Sequence, residues 1–494
     1  MSQGSTAKQR WGLWIAPLLA LAVLLLADLT PGDPRPTRMA AVAVLMAGWW
    51  ISEAVPIPAT ALLPVALFPL LGILPGKTTA GQYFNSIIFL FIGGFLFAIA
   101  MERWNLHRRI ALRIILFFGT GPRRLLFGFM AATWLLSMWI SNTATTMMLA
   151  PMAVALLAQL GDRYGPEQTR RYGVGLLVGI AYAASIGGTA TLIGTPPNLS
   201  FARILTIVFP GAPEISFARW MLFALPFSIV FLFIAWWLLA RMHARGLHAT
   251  DDGKEQFRRA HAELGPMGYE ERWVAALFAL LVLGWTLRRF WVRILPEPGY
   301  VDDGTVAISL ALVFFIVASR TPGEGRLLRW RDATRIRWGI VLLFGGGFAL
   351  ASGFKESGLS TWMGEALAGL GEVSPILLLL VICTTVTFLT ELTSNTATTE
   401  MLLPILGALA VAMQVHPLML MIPATLSASC AFMLPVATPP NAIIFGTGRV
   451  GMSDLVRAGF RLNLIGILLI TLWTYFAGPL LFGFDPNVLP AWAK

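Results

Sequence analysis

Two polar hexapeptides lie inside otherwise apolar sequence: Ser141-Asn142-Thr143-Ala144-Thr145-Thr146 and, 253 residues later, Ser394-Asn395-Thr396-Ala397-Thr398-Thr399. Each is followed by a second interruption, Thr195-Pro196-Pro197-Asn198 and Thr438-Pro439-Pro440-Asn441. These segments offer hydroxyls, carboxamides and backbone N–H and C=O groups, with no His, Lys or Arg beside them. Helix N-termini and neutral donors of this kind can hold a carboxylate without a formal cation. Two such tips facing each other suit a molecule with an anionic group at each end. The same segments also carry oxygens. Ser137 lies one helical turn before Ser141, and Thr390 one turn before Ser394, beside the side-chain carbonyls of Asn142 and Asn395 and the backbone oxygens near Gly194 and Ala437. A neutral oxygen cage of that kind suits a hard monovalent cation such as Na⁺. Plainer readings exist for each part. Ser and Asn cap helix ends at any break, and Ser137 or Thr390 alone could bond back to the preceding turn. Symmetric placement in two copies favours ligand binding, since paired discontinuities in two halves of a membrane protein mark binding sites.

The surrounding elements must hold these groups within a membrane. Of 494 residues, 57% are hydrophobic and 12% charged, with a mean hydropathy of +0.73. A soluble domain carries roughly 25% charged residues, so too few remain here to cover a water-facing surface. Apolar runs recur from 14–26 to 464–482. Several approach the ~20 residues that cross hydrocarbon as a helix, and helices satisfy their own backbone in lipid. The expectation is an all-α polytopic membrane protein with about eleven transmembrane helices. The net charge of +11 then reflects Lys and Arg in cytoplasmic loops rather than nucleic-acid binding. Cys383 and Cys430 lie in apolar segments and say nothing about redox compartment. Lys8 and Arg10 precede an apolar stretch without a small-residue cleavage site, which reads as an uncleaved first span.

The duplication extends beyond the hexapeptides. The same offset carries Gly93-Gly94-Phe95 onto Gly346-Gly347-Phe348 and Pro151 onto Pro404. Charge orients the copies. Arg103, Arg108, Arg109, Arg113, Arg123 and Arg124 follow the first Gly-Gly-Phe, whereas the equivalent stretch 358–374 has no Lys or Arg. The positive-inside rule therefore places the two halves in opposite orientations. The predicted organisation is an N-terminal tail and first span (1–36), a first inverted repeat (37–242) with a hairpin at about 124–161, a cytoplasmic linker (243–271), and a second repeat (272–494) with a hairpin at about 375–414. Each five-span repeat holds a re-entrant hairpin whose tip is the hexapeptide. The N-terminus falls in the cytoplasm and the C-terminus outside. A polar loop, 241–272, and a basic one, 320–337, both fall inside. Arg288, Arg289 and Arg293 are exceptions on the outer side, expected to snorkel toward head groups.

Glu391 and Glu400 are intramembrane carboxylates where the first copy has Met138 and Met147. Such groups are costly and usually functional. Either could carry a proton, but a structural acid buttressing the hairpin fits better, because it breaks the symmetry of the site. The Met and Trp residues read as packing and interface anchors. An enzyme would need a convergent catalytic cluster, and the five His are scattered at His107, His243, His248, His261 and His416.

The paired Ser-Asn-Thr tips, each followed by Thr-Pro-Pro-Asn, resemble the divalent anion/sodium symporter family, as do 428–441 and Ser52-Glu53-Ala54-Val55-Pro56-Ile57-Pro58. The likeness covers nearly the whole chain. It implies an elevator-type carrier in the cytoplasmic (inner) membrane, a homodimer whose transport domains carry both hairpins across the lipid bilayer. By the family pattern Ser141, Asn142, Thr143, Ser394, Asn395, Thr396, Thr438 and Pro439 contact the substrate. One sodium site is implied at Ser137, Ser141, Asn142 and Gly194, and another at Thr390, Ser394, Asn395 and Ala437. The implied function is sodium-coupled symport of C4-dicarboxylates such as succinate, malate or fumarate. The alternatives are a sodium-independent dicarboxylate exchanger, or a citrate or sulfate carrier of the same fold.

Overall fold

The computed structural model describes residues 7–119, 121–244, 252–367 and 374–494. Every regular element among the described residues is a helix, and their one β-type contact is an isolated bridge between Ala318 and Arg326. The element order occurs twice. A long helix (Ser86–Arg103), a shorter one (Leu106–Phe118), a helical pair (Pro122–Ser137 and Asn142–Tyr164), a broken helix (Pro166–Gly188 and Pro196–Val208) and a long helix (Phe217–His243) form the first series. Trp338–Glu356, Leu359–Leu367, Pro375–Thr390 with Asn395–Ala412, Pro417–Ala428 with Pro439–Gly446, and Met452–Phe482 form the second. Local chemistry sets the ends. Asn85 accepts hydrogen bonds from the backbone N–H of Ile87 (3.1 Å) and Ile88 (3.3 Å), capping Ser86–Arg103.

Packing then shows which solvent the outside meets. Along Met452–Phe482, Leu464, Leu468, Leu472, Phe476 and Leu480 recur every fourth residue and are exposed. Leu462, Asn463, Ile467, Ile470 and Thr474, on the other face, are buried. A fully apolar exposed stripe opposite a partly polar buried face is what a lipid-facing helix presents. Seven described helices are long and apolar enough to cross a membrane. An eighth is Tyr269–Thr286 with Arg288–Ile294, bent by 72°. Four apolar helices are shorter, and two of them, Pro375–Thr390 and Pro417–Ala428, stop just before a break.

Two polar regions differ from expectation. The linker between the halves is not simply a polar loop, since Asp252–Glu263 is a helix that buries Phe257 against Phe129. Arg109 anchors the region, donating to both Glu271 oxygens (2.5 and 2.9 Å) and to the Gly265 carbonyl (2.8 Å) while almost fully buried. The expectation for Arg288 also changes. Rather than snorkelling, it pairs with Glu214 at 2.7 Å and Asp303 at 3.2 Å.

The two series interlock. Asn142–Tyr164, which begins at the first hexapeptide, packs against Pro439–Gly446, and Asn395–Ala412, which begins at the second, packs against Pro196–Val208. Pro166–Gly188, buried along most of its length, crosses between them. Its Tyr182 hydroxyl donates to the Phe432 carbonyl at 2.8 Å. Each hexapeptide therefore meets the broken helix of the other half.

Candidate functional site

All four breaks line one cavity of about 460 Å³. Ser141, Asn142, Thr143, Ser394, Asn395, Thr396, Thr438 and Pro439, the eight residues expected to contact substrate, all contribute to its wall, with Gly194, Thr195, Pro196 and Ala437. The hexapeptides start helices. Ser141 and Ser394 are the N-cap residues, and Ser141 Oγ accepts from Ala144 N–H at 3.2 Å. The double prolines also start helices rather than ending them: Thr195 and Thr438 are N-caps, with the prolines in the first turn. A missing N–H costs nothing there, because first-turn donors have no helical partner. Four helix N-termini thus converge on one chamber, each bringing free N–H groups and the positive end of a helix dipole.

The asparagines of Thr-Pro-Pro-Asn have a role that sequence reading missed. Asn198 Nδ2 reaches the carbonyls of Gly188 (3.2 Å), Thr189 (3.3 Å) and Thr191 (2.7 Å). Asn441 Nδ2 reaches those of Ala431 and Leu434, both at 3.1 Å. Both side chains staple the unwound segment before the prolines, so the break is held open at fixed geometry. The available signal was an Asn at the same fourth position of both motifs.

Behind each tip lies a cluster of oxygens. Ser137 Oγ is 2.5 Å from Asn142 Oδ1 and 2.8 Å from the Ala184 carbonyl. Thr390 Oγ1 is 2.7 Å from Asn395 Oδ1 and 2.8 Å from the Ala428 carbonyl. Each hydroxyl has one proton to share between two acceptors, so lone pairs crowd together at both places. Gly188 brings the Gly194 carbonyl into the first cluster, since a β-carbon on Gly188 would meet both the Asn142 amide and that oxygen. Neutral oxygens at this density fit a hard monovalent cation. The Ala184 and Ala428 carbonyls were not among the expected ligands, as nothing in an alanine marks its backbone oxygen.

Glu391 fits the structural role. Its Oε1 accepts from Phe432 N–H (2.7 Å), Met433 N–H (2.9 Å) and Asn463 Nδ2 (2.7 Å), and its Oε2 from Leu434 N–H (3.0 Å). The carboxylate caps the unwound strand that leads into the second Thr-Pro-Pro-Asn. Glu391→Gln removes one charged acceptor and should cost about 1–3 kcal/mol of stability, read as a lower melting temperature in detergent. An unchanged melting temperature with a lost pH dependence of uptake would make Glu391 a proton carrier instead. Glu400 accepts from Ser200 Oγ and lies against Gly347, where a β-carbon would collide with the carboxylate. The Gly-Gly-Phe motif is therefore in part a matter of clearance.

One expectation fails. The sequence around the breaks contains no Lys or Arg, yet Arg337 lines the cavity, with Glu53 on the same wall. Arg337 Nη1 donates to Thr143 Oγ1 at 3.4 Å. Neither residue is near a break in sequence, and folding alone brings them there. Of the histidines, His107, His243 and His416 hydrogen-bond to backbone and none lines the cavity between the breaks, while His248 lies outside the described residues. No group of three or more His, Cys, Asp or Glu side chains gathers among the described residues.

These features define a polytopic helical membrane protein with a solute-sized cavity between paired helix breaks. The chain belongs to the sodium:sulfate symporter family, whose transmembrane region matches residues 7–483. It is a transporter rather than an enzyme. Among curated relatives, the sodium-dependent dicarboxylate transporter SdcS of Staphylococcus saprophyticus is 43% identical over 493 residues, covering 96% of this chain and 92% of the relative. SdcS of Staphylococcus aureus USA300 is 44% identical over 501 residues, covering 98% and 94%. Two solved transporters share the fold. The Alcanivorax borkumensis YdaH transporter aligns with a TM-score of 0.57 at 16% identity, over 96% of this chain and 99% of that one. Neisseria gonorrhoeae MtrF aligns with a TM-score of 0.58 at 14% identity, over 93% and 98%.

Proposed function

We propose that the protein is a secondary active transporter that couples Na⁺ to the uptake of C4-dicarboxylates such as succinate, malate or fumarate across the inner membrane. The observation that carries this reading is the pairing of two like tips, each with an oxygen cluster behind it, on one cavity. In this reading each tip holds one carboxylate of the substrate through Ser, Asn and Thr donors and helix N–H groups. Sodium occupies the clusters at Ser137, Ser141, Asn142 and Gly194 and at Thr390, Ser394, Asn395 and Ala437. The names of the staphylococcal relatives, 43% and 44% identical, support both the ion and the substrate class. The test is succinate uptake into proteoliposomes with an inward sodium gradient, against choline. Uptake driven only by internal dicarboxylate would favour the exchanger.

The two series are read as inverted repeats of eleven spans in all, with the N-terminus inside and the C-terminus outside. They belong to an elevator-type homodimer whose hairpins move with the substrate. Cysteines at Ser360 and elsewhere in 358–374 should label from outside, and those at 108–124 from inside. Labelling of both sets from one face would remove the inversion.

A further inference from the structure

The tips are alike in sequence, but the cavity around them is not alike in charge. Arg337 is its sole Lys or Arg among the lining residues. Two arginines of the same basic segment are held in ion pairs away from the cavity, Arg329 with Glu324 at 3.1 Å and Arg335 with Glu102 at 3.2 Å. Arg337 makes no ion-pair contact among the described residues; its hydrogen-bond partner is the neutral Thr143 hydroxyl, and Glu102, already paired with Arg335, attracts it from farther away. The position 253 residues earlier, its counterpart by the repeat, is Phe84. No Lys or Arg lines the cavity at the second tip, where Lys8 donates to the Leu392 carbonyl at 3.2 Å without entering the lining. A half-buried guanidinium facing a neutral hydroxyl has its charge incompletely compensated.

We propose that Arg337 is a specificity-determining residue of the substrate site, its guanidinium binding the carboxylate held at the first tip while neutral donors alone hold the carboxylate at the second. This rests on the dicarboxylate reading above. A guanidinium presents paired donors in a planar fork that matches a carboxylate, and Thr143 fixes the direction of that fork. The site is therefore polar end to end. It requires a charged carboxylate at the first tip and tolerates a neutral hydrogen-bonding group at the second, so an unsymmetrical acid binds one way round. Arg337 also lines an adjoining cavity of about 560 Å³ that shares Ser141 with the first. The guanidinium thus stands where one chamber meets the other.

The experiment uses full-length protein in proteoliposomes at saturating sodium, with succinate and with succinamate, in which one carboxylate is a carboxamide. Wild type should transport succinate and be inhibited competitively by succinamate at a concentration within about tenfold of succinate's own half-saturation. Arg337→Gln should raise half-saturating succinate by about 10- to 100-fold, the range for a lost charge-assisted hydrogen bond. Its maximal rate should stay within about twofold, since the lost interaction is with bound substrate. Arg337→Lys, which keeps the charge without the fork, should recover part of the affinity and fall between Arg337→Gln and wild type. Unchanged half-saturation in Arg337→Gln, a fall in maximal rate alone, or no inhibition of wild type by excess succinamate would each overturn the proposal. The last outcome needs no variant to fold. Wild type that takes up no succinate would overturn the dicarboxylate reading and this one together.

Discussion

Succinate uptake into proteoliposomes is expected to fall to background in both Asn142→Ala and Asn395→Ala, with each protein still inserted and monodisperse in detergent. Each Asn begins a helix at the wall of the cavity, and its side-chain oxygen lies against a buried hydroxyl, Ser137 or Thr390. The carboxamide can therefore present its oxygen to the cluster behind and its N–H₂ to the cavity in front. Removing it deletes a donor to an anion and an acceptor to a cation in one step. Hydrogen bonds to charged groups are worth about 1.5–3 kcal/mol each. Losing two should cost at least a hundredfold in affinity. Stability should change little at the first tip, since that helix start remains capped by Ser141, whose Oγ accepts from Ala144 N–H. Uptake at wild-type level in both variants would reduce the tips to helix caps.

Sodium is expected to bind first and to create the anion site. A dianion that leaves water for a partly buried chamber costs several kcal/mol or more. Four helix N-termini offset part of this, at about 0.3–1 kcal/mol each when exposed and up to ~2 when partly buried. Arg337 adds one positive charge, but at the first tip only. Cations bound in the clusters behind both tips would supply the remainder and orient Asn142 and Asn395. Succinate affinity should therefore rise steeply with sodium, and succinate should raise sodium affinity by the same factor. Ser137→Ala and Thr390→Ala each remove one oxygen from a cluster. They should shift half-saturating sodium upward by about 5- to 100-fold, from ~1–3 kcal/mol per lost interaction, while transport recovers at high sodium. The measurement is succinate binding across a sodium titration with choline as the replacement ion. A flat response would discard the coupled reading and leave the exchanger.

Much of this site was legible because its parts repeat. A polar hexapeptide in apolar surroundings needs a reason, and the same hexapeptide 253 residues on, followed by the same double proline, gives one. Helix caps, first-turn prolines and four-residue spacings act over a few residues, so sequence determines them locally. Membrane residence follows from composition in the same way.

Contacts between distant segments were decided by the tertiary structure alone. Which breaks face each other depends on the interlocking of the halves, which sets Asn142–Tyr164 against Pro439–Gly446. The Ala184 and Ala428 carbonyls join the oxygen clusters through backbone position, which their side chains do not encode. The four donors that favour a structural role for Glu391 come from residues 41 to 72 positions away. Arg337 lies 194 residues from Thr143 and belongs by composition to a basic loop. Nothing in that loop's sequence separates the one arginine turned into the cavity from those paired with Glu324 and Glu102. Charge patterning sets the side of the membrane on which a residue lies. Where its side chain points is fixed by packing between helices far apart in the chain.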